Sequence, residues 1–395
     1  MSFQFDRFVN RRGIANLNKW KWYPEDVLPL WLADMDFLTP EPIIAAIRRA
    51  LEHGILGYER ASQALLELVA GRMNRLYGWV VSPDTIIPIP SVNVGYRIAA
   101  SVVCTAGEGV LIQPPVFYHF IGFPKDYGFT RQDAPLRRLD RGRIMLYELD
   151  ADTFQQAIHS GGAKTSLFLL CNPHNPVGRI FSADELDWMA GVCAENDIVI
   201  CSDDIHQELV LGDAKYIPLA AHSPQIAGRT ITLLGPGKAF NVSGLCCAFA
   251  IIPQAALRQR FAEELERLAL DVNSLGLAAA RAAYSGDCDE WLAALRGYLT
   301  ANRDHLVTFI DRELPRLRTT APEATYLAWL DCNSYLHTGE MTGSPQAFFL
   351  EKAKVALSDG ATFGPGGEGF VRLNFACPRS VLDESLTRIA KALAR

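Results

Sequence analysis

The sequence has 395 residues, of which 49% are hydrophobic and 21% are charged, and its formal net charge is −6. This composition is typical of a soluble globular protein, and the length exceeds that of a usual single domain. The sequence has no basic run and no apolar stretch of roughly 18–20 residues, so we expect neither nucleic acid nor a membrane as a partner.

Apolar runs alternate with helical patterns over the first two thirds of the sequence. Strands are predicted at 85–89, 109–113, 166–171, 197–201 and 230–234. Helices are predicted at 93–104, 182–196 and 254–272. Ser182 and Glu185 form a capping-box pattern at the start of the second helix. The alternation indicates an α/β fold with a mostly parallel sheet and helices on both faces.

The pattern changes after about residue 275. A long helical stretch at 289–314 is followed by short strands that include 325–331 and 370–375. This change predicts a second, smaller α+β domain.

Polar residues follow the last three of the five predicted strands. The loop Asn172–Pro176 is rich in asparagine and proline, which favours a stiff polar turn. Asp203, Asp204 and His206 follow the next strand, and Lys238 lies on a Gly-Pro-Gly turn after the last one. Because ligands bind at the carboxyl ends of strands in open α/β sheets, these residues predict a site. Each segment taken alone has a simpler alternative. The loop Asn172–Pro176 would be an ordinary turn, residues 203–206 a solvated acidic loop, and Lys238 a surface lysine.

Lys238 is the most informative of these residues. A lysine held in a dry pocket has a lowered pKa and can act as nucleophile and base. We therefore predict that Lys238 is catalytic.

The cysteines and histidines indicate a compartment and argue against a metal site. The nine cysteines include no C-x-x-C pair, and we interpret them as small buried residues in a reducing cytoplasm. The N-terminal sequence lacks the apolar region of a signal peptide. The eight histidines are scattered without ligand spacing, so no metal is expected.

The order and spacing of Asn175, Asp203 and Lys238 resemble those of fold-type I, aspartate-aminotransferase-like enzymes that use pyridoxal 5'-phosphate (PLP). The resemblance is strongest to the MalY/PatB branch of cystathionine β-lyases, the C–S lyases. Matching stretches lie at 19–40, 57–59, 113–120, 171–186, 201–210, 235–245, 322–332 and 371–379.

The resemblance implies the fold-type I architecture of PLP-dependent transferases. A large α/β domain at 50–275 would bind the cofactor. A small α+β domain would combine residues 1–49 with residues 276–395.

The resemblance also implies the residues around the cofactor ring. Lys238 would bind PLP covalently, and Asp203 would keep the ring nitrogen protonated. Asn175 would donate to the phenolic oxygen, with His206 near the same oxygen. Phe117 would stack on the ring, and core packing is the alternative for it.

The phosphate would lie at a helix N-terminus formed by Ser91, Val92 and Asn93. An ordinary helix cap is the alternative for Ser91. Tyr58 matches a tyrosine that reaches the partner subunit's phosphate in relatives. We therefore expect a homodimer with its active site at the subunit interface.

The substrate's α-carboxylate would be bound by Arg372, whose planar fork suits a bidentate contact. A surface position is the alternative for this arginine. Ala33 and Asp34 match a segment that passes close to the substrate, and Asn172 and Tyr326 are weaker candidates for the pocket.

Several residues depart from the family pattern. Gly235 and Gly237 replace serines that contact the phosphate in relatives, and Cys246 stands where many aminotransferases have an arginine. The phosphate site is therefore expected to be poor in charge, with backbone N–H groups as compensation. Three further departures, at Lys21, Glu59 and Asp204, are expected near the substrate entrance.

The implied reaction is β-elimination from an S-substituted L-cysteine, such as cystathionine or a thiol conjugate, to give a thiol, pyruvate and ammonia. Aromatic residues near the N-terminus are expected either to line the leaving-group pocket or to be plain core: Trp20, Trp22, Tyr23 and Trp31. One alternative is an aminotransferase, or another PLP enzyme with a decarboxylating or oxidative outcome. Another is a PLP-fold regulatory or binding protein.

Overall fold

The computed structural model describes residues 3–13 and 18–394. The strands are β1 Leu28–Pro29, β2 Ile86–Ile89, β3 Gly109–Ile112, β4 Thr130–Asp133, β5 Arg137–Arg141, β6 Ile144–Glu148, β7 Thr165–Cys171, β8 Val199–Asp203, β9 Thr230–Leu234, β10 Ala248–Ile251, β11 Arg318–Thr320, β12 Leu327–Asp331, β13 Val355–Ala356, β14 Ser358–Asp359 and β15 Phe370–Asn374. The α-helices are α1 Asn18–Lys21, α2 Glu41–Glu52, α3 Gln63–Tyr77, α4 Val92–Val103, α5 Tyr118–Asp126, α6 Ala151–Ile158, α7 Ala183–Glu195, α8 Pro224–Ala227, α9 Pro236–Ala239, α10 Ala255–Arg267, α11 Ser274–Tyr284, α12 Asp289–Glu313, α13 Asn333–His337, α14 Pro345–Phe348 and α15 Arg379–Leu393.

The larger sheet has seven strands in the order β2-β10-β9-β8-β7-β3-β4. The five strands from β9 to β4 are parallel to their neighbours. Strand β10 is antiparallel to both β2 and β9. The predicted mostly parallel α/β architecture is confirmed.

Alternation along the buried strands explains why helices cover both faces. In β7, Leu167 and Leu169 pack in the cluster that contains residues of α4, α5 and α10. Phe168 and Leu170 pack in the cluster formed with α6 and α7 on the other face. Because successive side chains of a strand point to opposite faces, a continuous apolar run requires a helical layer on each side.

Several predicted boundaries differ from the structure by one or more residues, and two of the differences have a local cause. The helix predicted at 254–272 ends at Arg267, because Ala269 adopts a left-handed backbone conformation with φ 52°. The strand predicted at 197–201 begins at Val199, because Asp197 forms the turn after α7 with φ 55°. The capping box of Ser182 and Glu185 is confirmed at the start of α7.

The second sheet has six strands in the order β14-β15-β12-β11-β6-β5. Strands β5 and β6 come from within the predicted large domain, and β6 pairs in parallel with β11. Near the N-terminus, β1 pairs in parallel with β13. The N-terminal segment thus packs against C-terminal strands, while the division into domains at 50–275 stays a prediction.

The register of the larger sheet positions the site. Cys171 at the end of β7 pairs with Asp203 at the end of β8, and Asp203 pairs with Leu233 of β9. The loops that carry the predicted polar residues therefore leave the sheet at one edge. Within the described residues, no helix has both the length and the apolar composition to cross a membrane.

Candidate active site

A cavity of about 220 Å³ lies at the carboxyl edge of the parallel strands. Nine of the residues predicted from the sequence line it: Ala33, Ser91, Val92, Asn93, Phe117, Asn175, Asp203, His206 and Lys238. Gly237 and Cys246, which were expected at the phosphate site as departures from the family pattern, also line it, and six further lining residues were not predicted: Pro90, Cys171, Ile205, Ser243, Cys247 and Ala248. Most of these are chain neighbours of predicted residues, and that proximity is the signal that would have found them.

Lys238 lies on the short helix α9 directly after β9, with its side chain partly exposed to the cavity. Its Nζ donates a hydrogen bond of 2.6 Å to the carbonyl oxygen of Ala33. Burial lowers the pKa of Lys238 to about 8, and the positive charge of Arg372 adds to this effect. The lysine therefore has a substantial neutral fraction near pH 8, as a nucleophile or base requires.

Asp203 is the buried carboxylate of the cavity. Its Oδ1 accepts a hydrogen bond of 3.1 Å from the backbone N–H of Ile205. Burial raises the pKa of Asp203 to about 6. A cationic group bound beside it would stabilise its charged form.

Asp204 was predicted near the substrate entrance, and this was wrong. The side chain is fully buried and accepts hydrogen bonds from the hydroxyls of Ser202 and Tyr216, the latter at 2.5 Å. Burial raises the pKa of Asp204 to about 7. Lys21 and Glu59 are exposed and do not line the cavity.

A hydrogen bond joins Arg372, in β15 of the second sheet, to Asn175, in the loop after β7 of the larger sheet. Its Nη1 donates a hydrogen bond of 3.0 Å to Oδ1 of Asn175, which leaves the Asn175 amide group free to donate. Its Nη2 donates to the carbonyl oxygen of Trp31 at 2.9 Å and to the hydroxyl of Ser358 at 3.1 Å. Arg372 is only 3% exposed, so the surface position is excluded. Burial lowers its pKa to about 10.

His206 is buried beside Tyr326, with ring centroids 5.7 Å apart. Burial holds the pKa of His206 well below its usual value, and the charges of Lys238 and Arg372 act in the same direction. The ring is therefore neutral, and its Nδ1 has no hydrogen-bond partner within the described residues. The Tyr326 hydroxyl donates to the Ala33 carbonyl at 3.0 Å, next to Lys238.

The start of α4 forms a group of hydrogen-bond donors in the cavity wall. The Ser91 hydroxyl accepts from the backbone N–H of Val94 at 3.2 Å and so caps the helix. The backbone N–H groups of Val92 and Asn93 belong to the first turn, which has no acceptors within its own helix. Such a helix start attracts anions. Apart from Lys238 and the neutral His206, no basic side chain of the described residues lines this cavity.

Phe117 precedes α5 and is partly exposed in the cavity wall, so it is not simply a core residue. The Asp34 carboxylate pairs with Arg11 at 2.9 Å and with Lys19 at 3.3 Å. Asp34 lines a second cavity, of about 830 Å³, that also reaches Lys238. Tyr58 is fully exposed and lies outside the Lys238 cavity.

The N-terminal aromatic residues do not line the Lys238 cavity. Trp20 is buried and donates from Nε1 to Asp36 at 2.7 Å, so it is a core residue. Trp22 is largely exposed, and its ring lies 6.0 Å from that of Trp31. Trp31 contributes its carbonyl oxygen to Arg372, a contact that the sequence pattern did not predict.

The model of the family "Aminotransferase class I and II" matches residues 25–389. The chain belongs to this family. The predicted resemblance, to the family and to its MalY/PatB branch, is confirmed.

Three similar proteins cover nearly the whole chain. Cystathionine beta-lyase PatB of Bacillus subtilis (strain 168) is 35% identical over 99% of this chain and 100% of its own length. The crystal structure of OvoB has a TM-score of 0.91 and 37% identity, and the match covers 100% of this chain and 99% of that one. The PLP-bound C–S lyase from Staphylococcus hominis has a TM-score of 0.92 and 30% identity, with coverage of 100% and 99%.

The residues of the cavity fit PLP. Asp203 is buried with a raised pKa and is suited to a cationic ring nitrogen. The His206 Nδ1 and the free amide of Asn175 are polar groups still open to a partner. The N–H groups at the start of α4 suit a phosphate. Lys238 would hold the cofactor covalently from the same cavity.

Proposed function

We propose that the chain is a PLP-dependent carbon–sulfur β-lyase that converts an S-substituted L-cysteine and one water molecule into a thiol, pyruvate and ammonia. The observation that carries this proposal is one cavity lined by Lys238 of lowered pKa, Asp203 and Asn175, whose amide oxygen accepts a hydrogen bond from Arg372. The cystathionine β-lyase name of a relative that matches over 99% of this chain supports the choice of reaction.

When bound, PLP supplies an electron sink for the pair left on the substrate Cα after its proton is removed. Asp203 contributes a buried negative charge, whose pKa of about 6 leaves it mostly ionised above neutral pH. A cation bound beside Asp203 would lower the pKa of its carboxyl group, because each charge stabilises the other.

Arg372 binds the substrate α-carboxylate. Its Nη groups are fixed by Asn175, Trp31 and Ser358, so the guanidinium is oriented before substrate arrives. Its Nε has no partner within the described residues and remains free to donate. A guanidinium held in place by these contacts binds the amino acid through the N–H groups that they leave free, with little loss of side-chain entropy.

Lys238 removes the Cα proton at Nζ. The neutral amine must first leave the Ala33 carbonyl, to which it donates at 2.6 Å. The Asn175 amide group is free to donate to the phenolic oxygen of the cofactor, and the neutral His206 ring lines the same cavity. The thiolate then leaves from Cβ into the space next to the lysine, where the second cavity also opens.

The test is product analysis with reconstituted protein and a panel of S-substituted L-cysteines. We expect equimolar thiol and pyruvate without any keto-acid acceptor. A Lys238→Ala variant should lose at least about 10³-fold in turnover, because nucleophile and base are one residue. Turnover that requires a keto acid would contradict the lyase and support an aminotransferase.

The proposal includes a homodimer in a cytoplasmic setting. Residues 51–60 are all exposed in the single chain, and Ile55 and Leu56 are among them. Exposed apolar side chains grouped in this way are typical of an interface. All nine cysteines are free thiols, which suits a reducing compartment. Tyr58, on the same segment, would reach the phosphate site of the partner subunit.

A further inference from the structure

Ser243 and Gly237 are in close contact in the wall of the Lys238 cavity. Both residues line it. A Cβ added at position 237 would lie 3.1 Å from the Ser243 Oγ and 3.4 Å from the Ser243 Cα. Any side chain at 237 would therefore crowd the Ser243 hydroxyl, and glycine leaves that hydroxyl its space.

The Ser243 hydroxyl is available to a ligand. The residue is exposed at the cavity wall. Its carbonyl oxygen accepts from the backbone N–H of Cys246, but its hydroxyl takes part in no hydrogen bond within the described residues. Ser91, the other serine of the wall, already uses its oxygen as the cap of α4.

We propose that Ser243 is a cofactor-binding residue whose hydroxyl donates a hydrogen bond to the phosphate of PLP. This proposal rests on the proposed function, because it requires PLP as the cofactor. Ser243 works together with the N–H groups at the start of α4, and Gly237 is the small residue that makes this placement possible.

The charge of the cavity makes this hydroxyl important. Apart from Lys238, the only basic side chain that the described residues provide in the wall is the neutral His206, and Cys246 offers only a thiol. A dianionic phosphate is then held by neutral donors alone. Hydrogen bonds to a charged group contribute more than neutral ones, so the loss of one donor should weaken binding by roughly ten- to a hundredfold.

The test compares PLP with pyridoxal, which lacks the phosphate. Apo-protein is titrated with each compound, and the dissociation constants are read from the visible absorbance of the bound form. We expect Ser243→Ala to weaken PLP binding by roughly tenfold or more and to leave pyridoxal binding unchanged. Ser101→Ala, on α4 but outside the cavity wall, is the matched control and should change neither constant.

A second pair of variants tests the link to position 237. Gly237→Ser alone should weaken PLP binding, because its Cβ meets the Ser243 Oγ at 3.1 Å. In Gly237→Ser/Ser243→Ala the new hydroxyl takes the vacated space, so PLP binding should exceed that of either single variant.

Equal losses for PLP and pyridoxal in Ser243→Ala would overturn the assignment, and so would an unchanged PLP constant. Both results leave the proposed function standing, provided that the unmodified protein binds PLP. Failure of the unmodified protein to bind either compound would instead overturn the proposed function, and this assignment with it.

Discussion

Lys238 and Arg372 are electrostatically coupled, although Lys238 lies on α9, after the larger sheet's β9, and Arg372 lies in β15 of the second sheet. The guanidinium charge helps burial to lower the pKa of the lysine to about 8. A substrate carboxylate bound to Arg372 would neutralise that charge. The pKa of Lys238 would then rise, and the lysine would become a stronger base once substrate is in place.

This coupling predicts a pH dependence for cofactor capture. In apo-protein the rate should rise with pH as Lys238 loses its proton through about pH 8, and then level off. Arg372→Met removes a charge that lowers the pKa, so the midpoint should move to higher pH. Stopped-flow absorbance over a pH series measures both midpoints. An unmoved midpoint would show that the two groups are not coupled.

The two neighbouring carboxylates should respond differently to substitution. Asp203 lines the cavity, whereas Asp204 is bound to the hydroxyls of Ser202 and Tyr216. Asp203→Asn removes the buried charge, and turnover should fall by roughly 10² or more. Asp204→Asn keeps an acceptor for one hydroxyl and presents an NH2 donor to the other, whose oxygen can accept, so the change should cost less than about tenfold. Steady-state kinetics measures the turnover of both variants. A larger loss in Asp204→Asn than in Asp203→Asn would refute the assignment of Asp203 as the carboxylate that acts in the cavity.

At the scale of elements, the positions of the buried strands can be predicted from the sequence, whereas the contacts between the two sheets cannot. Strands β7 and β9 are buried apolar runs, so their positions are local information. The pairing of Arg372 in β15 with Asn175 after β7 depends on how the two sheets meet. No periodicity encodes that contact, and the resemblance supplied Arg372 instead. Ser243 was missed because a single serine after a turn carries no pattern.

A buried ion pair joins three elements behind the site. Arg72 of α3 donates from Nε to Glu208 at 2.9 Å and from Nη1 to Asp289 of α12 at 2.8 Å. Arg72 and the Glu208 side chain are almost fully buried. The guanidinium also lies over the rings of Phe240 and Tyr284. The loop after β8, which begins at the catalytic edge, is thereby fixed to the helices.

Loss of this ion pair should affect the free energy of unfolding more than it affects turnover. Arg72→Met leaves the Glu208 carboxylate buried without its partner, at an expected cost of about 3–5 kcal/mol. The double variant Arg72→Met/Glu208→Met removes both charges and should be markedly less destabilised. Urea denaturation measures the difference. Equal losses for single and double variants would show that packing, not the unpaired charge, dominates.

At the scale of the whole molecule, the exposed segment at 51–60 predicts exchange between subunits. If Tyr58 serves the partner's site, Lys238→Ala and Tyr58→Ala proteins are defective in different sites of one dimer. Refolded together, they should form heterodimers that contain one intact site each. Random pairing in a two-fold dimer then restores up to roughly a quarter of the unmodified activity.

The matched control for this mixing experiment is Tyr127→Ala, a surface tyrosine outside the cavity. It should be active on its own and gain nothing from a partner. If the Lys238→Ala and Tyr58→Ala mixture recovers no activity, Tyr58 does not serve the partner's active site. It then serves the site of its own subunit or has no role in the reaction. Sedimentation of the same samples reports whether the dimer forms at all.

Five of the seven strands of the larger sheet were predicted from the sequence, β4 and β10 were not, and the second sheet was predicted only in part. Alternating strands and helices at 85–234 fix a parallel sheet through local pattern. Strand β5 carries no such signal, because its residues are mostly exposed and charged, and β6 is a short apolar run whose residues are only alternately buried. Their partner β11 lies far along the chain. Only the folded structure brings that pairing to light.

The pairing of β6 with β11 has a consequence for protein engineering. A fragment cut at residue 275 would keep the β5–β6 hairpin and lose the strand that covers its edge. The uncovered N–H and C=O groups of β6 would then recruit other copies, and the fragment would precipitate. The gene therefore cannot be shortened to its cofactor-holding half, and grafting that half onto another scaffold would have to carry residues 318–320 with it.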